Sequence, residues 1–261
     1  MNLVKENLKI FTPQIVNLID SNDFPWDRIN EKFNKKIEAR LESAEEDLFT
    51  VQASVYDHII GAKKKKLNCI GLLKYFNLLF KELNENLKED ERQLVKTNVR
   101  NMLSSFDHQF LNYIGELAVL NQLIKSGSFQ LLSCEEKLPN GKSIDFLFEN
   151  KIKPMKILVE VVNIHINSDK VENDPSKIRT FFETKLGKKI DSKKEGLNQG
   201  VNFHLIPVIW GGTAALKIYD DFFKNNSLGI PLVYEPMAYL TYSDDKGYYE
   251  HYFTPISRLF K

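Results

Sequence analysis

Between Leu138 and Ile166 the chain places single acids inside two runs otherwise suited to the interior of a sheet. The first run is Ser143-Ile144-Asp145-Phe146-Leu147-Phe148, and the second is Ile157-Leu158-Val159-Glu160-Val161-Val162-Asn163-Ile164. Both are rich in the β-branched and aromatic residues that favour strands. The connector from Glu149 to Pro154 carries Asn150 and Pro154, which suit a turn. A run that is apolar on both faces belongs near the centre of a sheet. An unpaired carboxylate buried there is costly unless it takes up a proton. Two such acids on neighbouring strands need a shared compensating charge, and a divalent cation with oxygen ligands is the simplest candidate. The alternative is that Asp145 and Glu160 sit at strand ends, solvated or paired with lysines such as Lys142 and Lys156.

The chain of 261 residues can bury a sizeable core, as one large domain or as a small domain with a helical extension. Its 43% apolar and 27% charged residues are those of an ordinary globular protein, which argues against disorder. No apolar run approaches a membrane span, and the early charges of MNLVKENLKIF are unlike a signal peptide. Cys69 and Cys134 lie far apart without metal-ligand spacing, so buried thiols in a reducing cytoplasm are expected. A net charge of +1 argues against a strongly basic nucleic-acid coat, while the clustered lysines leave room for a local basic groove.

Residues 1 to about 126 read as helices. Thr12-Pro13 and Asp23 to Pro25 are helix starts, the second leading into Trp26, Ile29, Phe33 and Ile37. A further segment, Ala44 to Ile60, repeats Leu48, Val51, Val55 and Ile59 at helical spacing. Lys63 to Lys66 reads as a solvated inter-helix loop able to touch phosphate. Leu67 to Leu87 and Glu89 to Lys125 are also helical, the latter broken near Ser104-Ser105 and stopped at Ser126-Gly127. Within its apolar second half stands Glu116, either a solvated flank residue or an acid aimed at something that wants negative charge.

From about residue 127 short strands and turns take over. Phe129 to Cys134 is a strand, Asn140-Gly141 a turn, and the two acid-bearing strands follow. Asn167 to Ser176 is a polar loop, and Asp174-Pro175-Ser176 opens a helix that runs to about Lys194. Asn202 to Trp210 is a buried strand in which Pro207 implies an edge position or a bulge. Gly211-Gly212-Thr213 leads into a helix to Lys224, and Leu232 to Phe260 reads as a terminal hairpin with a turn at Asp244 to Gly247, closed by packing of Phe253 and Leu259. The expected architecture is α/β: an all-helical region over 1–104, then, over 105–261, a mixed sheet flanked by helices with a C-terminal hairpin.

The order helix with Glu, strand, strand with Asp, strand with Glu, helix, strand resembles the PD-(D/E)XK nuclease superfamily, the restriction-endonuclease-like fold. The resemblance covers roughly Phe106 to Leu216. It rests on Glu116 in NYIGELAVL, Asp145 in GKSIDFLFE and Glu160 in KILVEVV. It implies that Asp145, Glu160 and Glu116 hold Mg²⁺ or Mn²⁺, and that the partner is nucleic acid, DNA in the first place. A homodimer is one assembly it allows.

One departure stands out. The family's lysine, two residues after the glutamate, is Val162 here. Residues two apart in a strand share a face, so a valine points where that lysine points. Lys185 and Lys189, one turn apart on the following helix, are the candidates to supply the missing cation. Asn163 and His165 fall on the opposite face of a regular strand.

Three readings follow. The first is a divalent-metal-dependent nuclease that hydrolyses phosphodiester bonds of DNA or RNA, with Lys63 to Lys66 and the lysines of 177–194 holding the phosphate backbone. The second is a catalytically inactive relative that binds nucleic acid or a protein, favoured by Val162. The third is an unrelated α/β protein whose acids are incidental. The histidines show no spacing suited to zinc, and His165 and His204 are expected as hydrogen-bonded core residues. Gly211-Gly212-Thr213 lacks the phosphate-loop pattern and is taken as a strand-to-helix turn.

Overall fold

The computed structural model describes residues 3–21, 23–42 (backbone alone over 36–42), 54–153, 155–166, 173–197, 202–243 and 249–260. The chain forms two compact units, Met1–Asn121 with Ser243–Glu250, and Gln122–Tyr242 with His251–Lys261.

The first unit is helical: α1 (Leu3–Phe11), α2 (Pro13–Ile19), α3 (Trp26–Glu42), α4 (Val55–Lys63), α5 (Leu67–Asn86), α6 (Glu89–Ser104) and the first part of α7 (Phe110–Lys125). Apolar faces meet in a core that includes Leu8, Ile15, Phe76, Phe80, Met102 and Phe110, all fully buried. Pro13 opens α2 as expected, but Thr12 does not cap it with its side chain; the hydroxyl donates back to the Leu8 carbonyl at 3.5 Å. Ser54 starts α4 instead, its backbone N–H donating to Asp57 Oδ2 at 2.6 Å. The expected helix from Ala44 falls partly on 43–53, outside the described residues; its described part carries the buried Val55 and Ile59. α4 continues through Gly61 to Lys63, and the loop is Lys64 to Lys66, exposed and turned by Lys65 at φ 59°. The break at Ser104-Ser105 is present. Arg92 closes the end of α5 by donating to the carbonyls of Leu87 and Asn84 at 3.2 and 2.6 Å.

The second unit is an α/β fold around a six-stranded mixed sheet in the order β1 (Phe129–Lys137), β2 (Ser143–Asn150), β3 (Met155–His165), β4 (Asn202–Gly211), β5 (Met237–Ser243) and β6 (Tyr249–Pro255). β1/β2 and β2/β3 are antiparallel hairpins. At the first turn Gly141 adopts φ 78° and Leu138 accepts its N–H at 2.9 Å. At the second, Asn150 Oδ1 accepts the N–H groups of Ile152 and Lys153 at 2.9 and 3.1 Å. β3/β4 and β4/β5 are parallel, so each needs a crossover, supplied by α8 (Pro175–Lys194) and α9 (Thr213–Asn225). Asp174 caps α8, accepting the N–H groups of Ser176 and Lys177.

Two crossovers stepping the same way across a sheet, with the usual hand, put both helices on one face. Val162, Ile164, Leu205 and Ile209 of the sheet accordingly share an apolar cluster with Ile178, Phe182 and Leu186 of α8 and Leu216, Tyr219 and Phe222 of α9. β3 is central, as its apolar run requires, with 157–162 buried throughout. Pro207 needs a correction: β4 is an interior strand. Its pairing with β5 starts only at Val208, so the proline stands at the last position before the second neighbour joins, where its missing N–H leaves no ladder bond unmade. In the terminal hairpin the expected turn at Asp244 to Gly247 lies outside the described residues, as does most of the loop from Asn167. Leu259 packs partly buried against the apolar cluster, and Phe253 is half-buried.

Cys69 is a buried free thiol and Cys134 a half-buried one. His165 is exposed, its ring stacked on Trp210 with centroids 5.6 Å apart, and is no core residue. His204 is half-buried, with a buried Nδ1 that has no hydrogen-bond partner among the described residues.

Candidate functional site

The two hairpins bring acids together by simple counting. In the first, Cys134 pairs with Phe146 and Glu136 with Ile144, which sets Glu135 opposite Asp145. In the second, Phe146 pairs with Val159, so the next step outward brings Asp145 opposite Glu160. Glu135, Asp145 and Glu160 therefore form a row across three adjacent strands. Carboxylate oxygens of Glu135 and Asp145 come within 4.8 Å of one another.

Like charges set directly opposite destabilise a sheet, so the row needs compensation. Asp145 obtains part of it from the backbone: Oδ2 accepts the Val161 N–H at 2.7 Å, past the Phe146/Val159 pair of the β2/β3 ladder. Burial and the neighbouring Glu160 nonetheless push its carboxyl up to about 7. The Val161 hydrogen bond and the Lys189 ammonium pull it down, and Glu135 adds to the rise. Glu135 holds φ 54°, a left-handed backbone that costs a side-chain-bearing residue about 1 kcal/mol. Its Oε2 accepts the Ser143 hydroxyl at 2.7 Å. Backbone strain of this kind gathers at functional sites.

Glu160 is fully buried on β3 and is compensated by ammonium groups. Its Oε1 lies 2.6 Å from Lys189 Nζ and 3.2 Å from Lys193 Nζ, both from α8. Lys193 also donates to the Ser143 carbonyl on β2. Ammonium groups from α8 thus supply compensation at Glu160, where the sequence pointed to a divalent cation shared with Asp145. Lys142 and Lys156, the expected surface partners, do not account for either acid.

Val162 lies on the same face as Glu160, within the apolar cluster under α8. The space of a strand lysine is filled by core packing, and the cations come from the helix above. Of the two lysines expected there, Lys189 reaches Glu160, whereas Lys185 is exposed, with Nζ 6.0 Å from the Phe181 ring centre. Asn163 accepts the Trp210 indole N–H at 2.8 Å and His165 stacks on the same ring, so neither is committed to the acids.

Glu116 belongs to the helical unit. It is buried on α7, and its Oε2 accepts the Asn98 amide N–H at 3.1 Å, so it is no solvated flank residue. Lys63 to Lys66 are exposed in that same unit.

Sequence reasoning missed Glu135 and Lys193. The signal for Glu135 was present: residues equidistant from the centre of a hairpin pair, and 135 and 145 are equidistant from Asn140. Lys193 follows Lys189 by one helical turn.

No protein-family model, curated protein or solved structure matches this chain. No helix among the described residues is long and apolar enough to cross a membrane.

Proposed function

We propose that the chain is a divalent-metal-dependent nuclease of the restriction-endonuclease-like class, hydrolysing phosphodiester bonds of DNA or RNA. The observation that carries this reading is the assembly of Asp145, Glu160 and Lys189 from β2, β3 and α8 beside the strained Glu135. It supplies acids and a cation although Val162 holds the position of the strand lysine.

The donor set fits Mg²⁺ or Mn²⁺: carboxylate oxygens are the ligands these hard ions prefer. A carboxyl pushed up to about 7 by burial and adjacent acids, against the pull of the Lys189 ammonium, is one whose charge is only partly compensated. Asp145 and Glu135 would hold the ion, with Glu160 beside them; the sequence resemblance assigns Glu116 to the same task. A bound cation supplies polarisation of a phosphate oxygen and a lowered pKa for water. The Lys189 ammonium offsets charge that develops on the phosphate. Lys177, Lys185 and Lys188, exposed along one face of α8 with Thr180 and Thr184, contact the strand backbone without reading sequence.

The test is incubation of the purified chain with plasmid DNA or structured RNA and Mn²⁺. Cleavage that stops with a chelator, with Asp145→Ala and with Glu160→Ala supports the reading; its absence on both substrates defeats it. The double ion pair on Glu160 favours a second reading, a nuclease-fold protein that binds nucleic acid without cutting it. Retained binding without cleavage selects it.

A further inference from the structure

Lys185, Lys189 and Lys193 repeat every four residues and so form one row along α8. Exposure falls along the row: Lys185 is exposed, the Lys189 side chain is 38% exposed, and the Lys193 side chain is 10% exposed. The two inner ammoniums meet the same Glu160 oxygen, yet they are exposed to different degrees. Lys193 has a second acceptor in the Ser143 carbonyl, so it ties α8 to both acid-bearing strands. The Lys189 side chain keeps more of its surface in solvent.

We infer that the two lysines divide the work at Glu160: Lys193 is the fixed counter-charge that positions the carboxylate, and Lys189 is the exchangeable cation that leaves it for a phosphate of a bound nucleic acid. This rests on the nuclease-class reading above and adds to it a residue, Lys193, with a role separate from phosphate contact. The physical reason is the cost of stranding a buried charge. A lone ammonium partner cannot leave a fully buried carboxylate without leaving it uncompensated. With Lys193 in place, Lys189 exchanges one anion for another. A flexible four-carbon stem with rotatable donors suits that exchange. Lys185, next outward in the row, meets an incoming phosphate first. Lys189 is accordingly the phosphate-contacting residue and Lys193 a positioning residue.

The test compares Lys189→Met and Lys193→Met in two measurements. One is thermal unfolding without metal or nucleic acid. The other is fluorescence anisotropy with a short fluorescein-labelled DNA duplex and the RNA duplex of the same sequence, in Ca²⁺. Lys193→Met is expected to lower the melting temperature by several degrees and Lys189→Met to change it little. Lys189→Met is expected to weaken binding of at least one duplex by roughly tenfold, the loss of a single charged phosphate contact. A larger loss of stability in Lys189→Met than in Lys193→Met overturns the inference, as does the absence of Lys189-dependent binding to both duplexes. Should Lys193→Met fail to fold, adding Glu160→Gln restores folding if the two residues are coupled as inferred; failure to restore it overturns the proposal. Absence of cleavage by the unaltered chain, with Lys189-dependent binding intact, defeats the hydrolase reading and leaves this one standing.

Discussion

The carboxylate of Asp145 on β2 accepts the backbone N–H of Val161 on β3 at 2.7 Å, a side chain bonding across to the next strand. An acid in the middle of an apolar strand is thereby fixed in direction, beside Glu160 and Glu135. Two of its properties follow: it is geometrically held, and its charge is only partly compensated.

Asp145→Asn separates these properties. The amide oxygen can still accept the Val161 N–H, while the repulsion from Glu160 and Glu135 disappears. The variant is expected to melt at or above the temperature of the unaltered chain at pH 8, and to lose the rise in melting temperature that Mn²⁺ gives. A thermal scan with and without Mn²⁺ checks both.

The pH dependence of the metal-free chain carries the same signature. The folded-state value of Asp145 is raised from 3.8 to about 7, so between these values the folded chain binds the proton more tightly than the unfolded one. This contribution is fully present below pH 3.8 and is lost as pH rises through 7. Asp145→Asn is expected to remove that slope in melting temperature measured from pH 5 to pH 8 in steps of about one unit.

His58 works in the opposite sense. Burial lowers it from 6.5 to about 4 against the weaker pull of Asp57. Its ring centre lies 5.8 Å from that of Phe110. The folded chain disfavours the charged form, so this contribution is present above 6.5 and is lost as pH falls towards 4. The full loss is on the order of 3 kcal/mol. His58→Leu is expected to flatten denaturant-derived stability across that range.

Val162→Lys installs a lysine at the strand position where the nucleases this sequence resembles carry one. Because Val162 shares an apolar cluster with Phe182 and Leu186, an ammonium there is buried away from water. The variant is expected to lose roughly 3 kcal/mol of stability in urea unfolding and to gain no cleavage activity. A stable, more active Val162→Lys would show that the helix lysines do not fill the role proposed for them.

Much of this architecture is legible from local chemistry. Strands rich in β-branched residues, the Asn140-Gly141 turn, the Asp174-Pro175 helix start and the stop at Gly127 depend on backbone preferences over a few residues, and each appears where the sequence places it. Pro207 shows the limit of such reasoning. Its missing N–H forbids one ladder bond, but only the starting point of β5 shows that no such bond is needed there.

The candidate site divides along the same line. Local sequence placed Asp145 and Glu160 in strands, and the hairpin register about Asn140, unread in the sequence, sets Glu135 opposite Asp145, because register in a hairpin is fixed by its turn. Only the tertiary structure decided which cations meet Glu160, since that depends on how the parallel crossover lays α8 over the sheet. It settled that Lys189 and Lys193, not Lys185, face the acid, and that Val162 belongs to the packing beneath the helix. Those contacts join elements separated by a long stretch of chain, and no local pattern encodes them.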